Sequence, residues 1–190
     1  MKQIVKNQKL SIFDDVFPEL TNIQVFFEHV RMDHPYSANG ICGITKEYRH
    51  DIVYNNVVDD VFTYCKAIAN LGFGCDWKDC ILTCHSYPCG AQSSWEIHKN
   101  KATMYFFVQN TWKSTWGGEI LIGQTPEEPN RPVLDTRWHN EHMSQFGTGV
   151  YAMPKTNRCI VIPGAEWHRI GQITAGAGDT SLLFFKILLS

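Results

Sequence analysis

Short apolar runs separated by turn residues fill the chain from Asp79 to its end. Each run has the length of a strand, and residues such as glycine, proline, asparagine and aspartate stand between the runs. Seven strands are therefore predicted, over residues 80–87, 102–109, 119–122, 149–153, 158–162, 167–173 and 181–189. Such a series favours an all-β barrel or sandwich.

The first third of the chain has the three- and four-residue spacing of amphipathic helices. One set of apolar positions follows Pro18 and consists of Leu20, Ile23, Phe27 and Val30. A second set precedes Gly72, a helix-terminating glycine, and consists of Val58, Phe62, Cys65 and Ala69. We expect one domain over 1–190, in which a mainly helical region, 1–78, supports a β core, 79–190.

Composition limits the classes of function. The chain has 190 residues, of which 44% are hydrophobic, enough for one globular domain with a buried core. The formal net charge is -2 and no run of lysines or arginines occurs, so we expect no nucleic-acid partner and no membrane partner. Because no apolar stretch has the length of a membrane span or follows the N-terminal lysines as in a signal peptide, a cytoplasmic protein with a small-molecule or peptide substrate is expected.

The chain has seven cysteines, an odd number, with no Cys-x-x-Cys pair. No histidine pair has the spacing of a zinc finger. Reduced, partly buried thiols are therefore expected, and a structural zinc site is not.

A carboxylate and two imidazoles have the spacing of a metal site. Glu96 and His98 are two residues apart, and on extended backbone such positions face the same side while Ile97 points away. His168 lies 70 residues further along, inside another apolar stretch bounded by turn residues. Two imidazoles and one carboxylate on one face of a metal leave its other positions open, an arrangement typical of non-haem Fe(II) oxygenases.

The order of motifs over residues 84–188 resembles that of the prolyl-4-hydroxylase-like Fe(II)/2-oxoglutarate oxygenases. The matching motifs are Tyr-x-x-Gly at 87–90, Trp95 before the ligand pair, an aromatic strand at 105–107, Trp-x-x-x-Trp-Gly-Gly-Glu at 112–119, Pro-Lys-x-Asn-Arg at 154–158, Gly164, His168 and a hairpin carrying Gly178-Asp179. The resemblance implies a double-stranded β-helix core of the jelly-roll or cupin type. It also implies Fe(II) as the metal cofactor and 2-oxoglutarate and O2 as co-substrates.

The chain departs from the family pattern at two places. The family has His-x-Asp after the tryptophan, whereas this chain has Glu96-x-His98, so the carboxylate and the imidazole exchange places. The family also has an arginine or lysine after the distal histidine that pairs with the far carboxylate of 2-oxoglutarate. The corresponding window, 178–182, holds no basic residue, and Lys186 is the first candidate beyond it. The resemblance therefore implies Tyr105 and Lys186 as the residues that bind the co-substrate.

Two other interpretations of the ligand set stay open. In a second register, His98 is the first ligand and Asn100 takes the carboxylate position. We prefer the Glu96 and His98 register because Tyr87 and Trp95 align with the family only there. In a third interpretation there is no metal, Glu96 forms a salt bridge and the histidines are buried structural groups.

Residues 123–147 form a polar stretch with three prolines that is much longer than a usual strand connection. In the family this loop borders the active site, which predicts a substrate-facing lid containing Arg137, Trp138, His139 and His142. The alternative is a surface insertion whose histidines are solvated.

The predicted function is that of a small Fe(II)-dependent oxygenase that hydroxylates or otherwise oxidises an unactivated C–H bond of an amino acid, a peptide or a natural-product intermediate. Glu96, His98 and His168 would hold the iron. One alternative is an iron oxygenase that uses no 2-oxoglutarate, as the missing base suggests. Another is a catalytically silent relative that binds a ligand or a partner protein.

Overall fold

The computed structural model of the chain describes residues 1–29, 34–38, 41–49, 56–74, 77–98, 100–124, 148–164 and 166–190. The elements in these residues are, in chain order, β1 (Lys2–Lys6), β2 (Ser11–Asp14), α1 (Leu20–His29), β3 (His34–Ala38), β4 (Ile41–Arg49), α2 (Asn56–Phe73), β5 (Cys80–Tyr87), β6 (Ala102–Phe107), β7 (Ile120–Gln124), β8 (Thr148–Ala152), β9 (Arg158–Pro163), β10 (Trp167–Ile170) and β11 (Leu182–Leu189). Two short 3₁₀ turns lie at Ser114–Trp116 and Ala175–Ala177.

The strands form two antiparallel sheets. The larger sheet has the order β1-β2-β9-β6-β11-β5-β4-β3, and the smaller has the order β10-β7-β8. The last strand, β11, lies between β5 and β6, where it pairs in register with both. Strands distant in sequence are therefore neighbours at the centre of the larger sheet.

Each face of the larger sheet covers a different apolar cluster. Side chains such as Phe107, Ile160 and Phe184 meet Ile120 and Ile122 of the smaller sheet, and this cluster is the interior of the sandwich. On the opposite face, side chains of β5, β6, β9 and β11 pack with apolar residues of α1 and α2. Because side chains alternate along a strand, the same strands supply both clusters.

All seven strands predicted after Asp79 are present as β5 to β11, with ends within a few residues of the predicted ones. The described residues are mainly β, as the spacing of the apolar runs indicated. The predicted and observed strands agree because apolar runs of strand length and the turn residues between them can be recognised from neighbouring positions in the sequence.

The region 1–78 contains four strands that the sequence analysis did not predict. Strand β2 is buried at all four positions and pairs with β9, and β4 pairs with β5. These strands extend the larger sheet on both sides, so the N-terminal region forms part of the β core rather than only a helical support. The four-residue β2 carries little periodicity of its own, and its partner lies far along the chain.

Both predicted helices are present, but α2 ends later than expected. Gly72 lies inside the helix, and Gly74 follows the last helical residue with a φ of 61° and donates its N–H to the carbonyl of Asn70. Gly74 is thus the left-handed glycine that terminates the helix. No helix in the described residues is long and apolar enough to cross a membrane.

Candidate metal centre

Glu96 and His168 form an isolated antiparallel bridge at the edge of the smaller sheet, where Glu96 pairs with β10. The N–H of Glu96 donates to the carbonyl of His168 at 2.9 Å, and the N–H of His168 donates to the carbonyl of Glu96 at 3.0 Å. Directly opposed residues of an antiparallel pair project their side chains to the same side. The bridge therefore brings a carboxylate and an imidazole together, and His98, two residues after Glu96, joins them.

The three side chains predicted as metal ligands lie together in the structure. Nε2 of His98 is 3.3 Å from Oε2 of Glu96, and Nε2 of His168 is 3.6 Å from Oε1. The two imidazole rings have centroids 5.5 Å apart. One donor atom from each residue can be chosen so that all lie within 4.8 Å of one another. This spacing suits ligands that converge on one ion.

Both imidazoles present a nitrogen that has no hydrogen-bond partner among the described residues. Nε2 of His98 and Nε2 of His168 are buried and unpaired. Nδ1 of His168 lies 2.7 Å from the carbonyl oxygen of Glu166, which can only accept, so Nδ1 carries the proton and Nε2 has a free lone pair. A backbone acceptor on the remote nitrogen is the usual way in which a metal-binding histidine is oriented.

His168 is held neutral by its surroundings. Its exposed fraction is 1%, and burial is the main reason that its pKa falls from 6.5 to about 4, although the negative charge of Glu96 opposes the shift. Only the neutral imidazole can bind a metal through Nε2. The environment therefore keeps His168 in its metal-binding form at neutral pH.

Glu96 is the ionised member of the cluster. Burial by itself raises the pKa of this carboxyl, but the adjacent Lys186 ammonium holds the pKa well below its usual range. Nζ of Lys186 lies 2.6 Å from Oε1 of Glu96, and the hydroxyl of Tyr105 donates to the same oxygen at 3.1 Å. The site therefore contains one carboxylate, two imidazoles and one buried cation.

The register of the larger sheet places Lys186 and Tyr105 side by side. Lys186 on β11 is directly opposite Tyr105 on β6 and Thr83 on β5. Tyr105 is fully buried, and its ring lies edge-on to His168 with centroids 5.8 Å apart. Both residues predicted to bind the co-substrate thus lie at the metal-ligand cluster, where each donates to Glu96.

His85 is a polar neighbour that the sequence analysis did not identify. Its ring stacks on Phe184 at 4.8 Å, Nε2 lies 2.7 Å from the hydroxyl of Thr83, and Nδ1 is buried without a partner among the described residues. Burial and the positive charge of Lys186 lower the pKa of His85 to about 3. The period-two pattern of β5 places it on the same face as Thr83 and Tyr87, which is the signal that could have found it.

Several other predicted residues do not enter the described site. Arg137, Trp138, His139 and His142, the proposed lid residues, lie outside the described residues. Asn100, the ligand in the second register, is half-buried in a bend before β6.

Two family-like motifs have structural roles here. Arg158, from the Asn-Arg pair, binds Asp14 through Nε at 2.6 Å and Nη2 at 3.0 Å, and Lys155 binds the same carboxylate at 2.7 Å. In the Trp-Gly-Gly-Glu motif, Gly117 has a φ of 77° and accepts a hydrogen bond from the indole of Trp112 at 2.9 Å. Both motifs stabilise backbone near the sandwich.

The fold matches solved structures, although neither protein-family models nor curated proteins match the sequence. A prolyl-4-hydroxylase from Pseudomonas putida is 11% identical, with a TM-score of 0.67 over 96% of this chain and 92% of that one. A prolyl hydroxylase from Trichoplax adhaerens, in complex with a hypoxia inducible factor oxygen degradation domain peptide fragment, is 11% identical, with a TM-score of 0.62 over 96% and 84%. HygX from Streptomyces hygroscopicus, with nickel and 2-oxoglutarate bound, is 11% identical, with a TM-score of 0.61 over 95% and 82%.

At these identities the likeness establishes the fold. The chain has the architecture of the 2-oxoglutarate–Fe(II) oxygenases, and the predicted double-stranded β-helix core is confirmed. The residues of the cluster fit a divalent metal on grounds of their own, because two buried imidazole nitrogens without hydrogen-bond partners among the described residues face one ionised carboxylate.

Proposed function

We propose that this chain is a non-haem Fe(II) oxygenase in which Glu96, His98 and His168 hold the iron. The observation that carries the proposal is the pair of buried, unpartnered Nε2 atoms that face the Glu96 carboxylate. A buried polar nitrogen without a partner is costly, and a metal ion would satisfy both imidazoles together. The ligand set leaves part of the coordination sphere open for reactants.

2-Oxoglutarate is the co-substrate that we propose. Bound iron would supply the redox chemistry by which O2 and 2-oxoglutarate become succinate and CO2, while one oxygen atom is added to a substrate C–H bond. The neutral His168 and the ionised Glu96 would keep the ligands in the required protonation states. The buried apolar wall formed by Phe184 and its neighbours would exclude water from the reaction.

The substrate class that we propose is an amino acid, a peptide or a natural-product intermediate. One of the similar structures, the prolyl hydroxylase in complex with a peptide fragment, supports the peptide within this range. The small net charge of the chain agrees with a substrate that is not a polyanion.

A second candidate is an iron oxygenase that does not use 2-oxoglutarate. It is favoured by the side chains that β11 presents to the sandwich interior. Leu182 and Phe184 are apolar and fully buried, and the one cation that follows, Lys186, is already bound to Glu96. A far carboxylate of 2-oxoglutarate would have to compete with Glu96 for this ammonium.

Anaerobic reconstitution with Fe(II) tests both candidates. We expect about one tightly bound iron per chain, and a visible metal-to-ligand absorption band when 2-oxoglutarate is added. His168→Ala should lose the iron, whereas His85→Asn, a histidine variant outside the ligand set, should retain it.

The three possible results separate the three functions. Iron binding with the band and with succinate release supports the 2-oxoglutarate oxygenase. Iron binding without any interaction with 2-oxoglutarate moves the assignment to the second candidate. Wild-type protein that stays iron-free would contradict the enzyme proposal and leave a catalytically silent relative.

A further inference from the structure

The two oxygens of the Glu96 carboxylate have different surroundings. Oε1 accepts hydrogen bonds from the Lys186 ammonium at 2.6 Å and from the Tyr105 hydroxyl at 3.1 Å. Oε1 also lies 3.6 Å from Nε2 of His168. Oε2 receives neither donor and lies 3.3 Å from Nε2 of His98. Oε1 is therefore occupied by two protein donors, and Oε2 faces an imidazole nitrogen that has no hydrogen-bond partner among the described residues.

The two donors are built into the sheet. Lys186 and Tyr105 are directly opposed on β11 and β6, so their side chains leave the same face at the same level. The Lys186 side chain is 12% exposed and the Tyr105 side chain is fully buried, which limits the positions that either can adopt. A short contact between ionised groups in such surroundings is a strong, directional hydrogen bond.

We propose that Lys186 is a positioning residue for the metal ligand Glu96. Together with Tyr105 it holds Oε1 and leaves Oε2 as the single carboxylate oxygen that binds the metal. This inference rests on the proposed function and gives Lys186 a task that differs from binding a co-substrate carboxylate.

Such positioning has a consequence for the metal site. A glutamate with both oxygens free can bind one ion through both of them, as it does in many cation sites. With Oε1 held by Lys186, the carboxylate occupies one coordination position, so more of the metal stays open for reactants. The longer side chain of glutamate, which stands where the family has aspartate, gives the carboxylate the freedom that the lysine then removes.

Cobalt substitution in the absence of any co-substrate tests this assignment. The visible absorption of bound Co(II) depends on the number and geometry of its ligands. Lys186→Met removes the charged donor, and we expect Glu96 to bind through both oxygens, with a loss of visible absorptivity. Tyr105→Phe removes only the second donor and should shift the spectrum in the same direction.

Two further variants control for effects on the fold. Lys186→Arg retains a charged donor and should restore a spectrum close to that of the wild type. Lys66→Met makes the same chemical change at an exposed position of α2 and should leave the spectrum unchanged.

The outcomes distinguish this inference from the proposed function. A Lys186→Met spectrum that matches the wild type until 2-oxoglutarate is added would overturn the inference and assign Lys186 to the co-substrate. A crystal structure of the cobalt form with Lys186 turned away from Glu96 would overturn it as well. Absence of cobalt binding by the wild type would instead remove the proposed metal site itself, and the inference with it.

Discussion

Glu96 and His168 are joined by reciprocal backbone hydrogen bonds of 2.9 and 3.0 Å, although Glu96 lies outside the named strands, in an isolated bridge. The bridge fixes the direction of both side chains independently of a bound metal. Metal affinity at this site should therefore depend on backbone pairing as well as on the three ligands.

Glu96, rather than Asn100, should be the acidic ligand. A carboxylate brings a full negative charge to a dication, whereas an amide brings only a dipole. Glu96→Ala should therefore lose most of the iron, and Asn100→Ala should keep an iron content near that of the wild type. Iron titrations of both variants, with His98→Ala as the shared positive control, measure this directly. Loss of metal in Asn100→Ala alone would establish the His98 and Asn100 register instead.

His85 should make the protein less stable as the pH falls. Its pKa is about 3 in the folded protein, below the usual 6.5, so between these values the unfolded chain binds a proton that the folded protein does not. The contribution of His85 to the free energy of unfolding is complete above pH 6.5 and falls as the pH approaches 3, by at most about 1.4 kcal/mol per pH unit.

Urea titrations at a series of pH values test this effect. His85→Leu should show a shallower dependence of the free energy of unfolding on pH than the wild type. Thr83→Val removes the hydroxyl beside the imidazole but keeps the titrating group, and it should retain most of the slope. Equal slopes for His85→Leu and the wild type would show that His85 binds its proton as readily in the folded protein as in the unfolded chain, and would contradict the lowered pKa.

Arg158 should be needed for stability rather than for chemistry. It forms two hydrogen bonds with Asp14, whose side chain is 7% exposed, so its removal leaves a buried carboxylate with one remaining cation. Arg158→Met should lower the free energy of unfolding by about 3 kcal/mol. Lys155→Met, whose side chain is 54% exposed, should cost less than about 1 kcal/mol. Similar losses in the two variants, measured by chemical denaturation, would contradict the assignment.

Gly117 should tolerate no side chain. Its φ of 77° is unfavourable for other residues, and a Cβ there would overlap the carbonyl oxygen of Gln172. We expect Gly117→Ala to cost about 3 kcal/mol or more. Gly74→Ala is the matched control, because Gly74 has a φ of 61° but no atom near its Cβ position, and it should cost about 1 kcal/mol. Thermal unfolding of the two variants measures the difference, and equal losses would contradict the expected overlap at Gly117.

Local patterns in the sequence determined much of the β core. The seven strands after Asp79 follow from apolar runs of strand length between turn residues, and the pairing of Glu96 with His98 follows from the period of two along extended backbone. These features depend on neighbours within a few positions. The selection of His168 as the third ligand depended on the resemblance of the motif order to that of the prolyl-4-hydroxylase-like oxygenases.

The contacts between segments that are distant in sequence could be identified only from the tertiary structure. Strand β2 pairs with β9, and the larger sheet therefore includes the N-terminal region. The four buried residues of β2 contain no sequence pattern that predicts this pairing. The sequence showed Lys186 as a cation beyond the expected window, but its contact with Glu96 arises because β11 inserts between β5 and β6. Which oxygen of a carboxylate stays free is set by the register of that strand, and register depends on the packing of whole sheets.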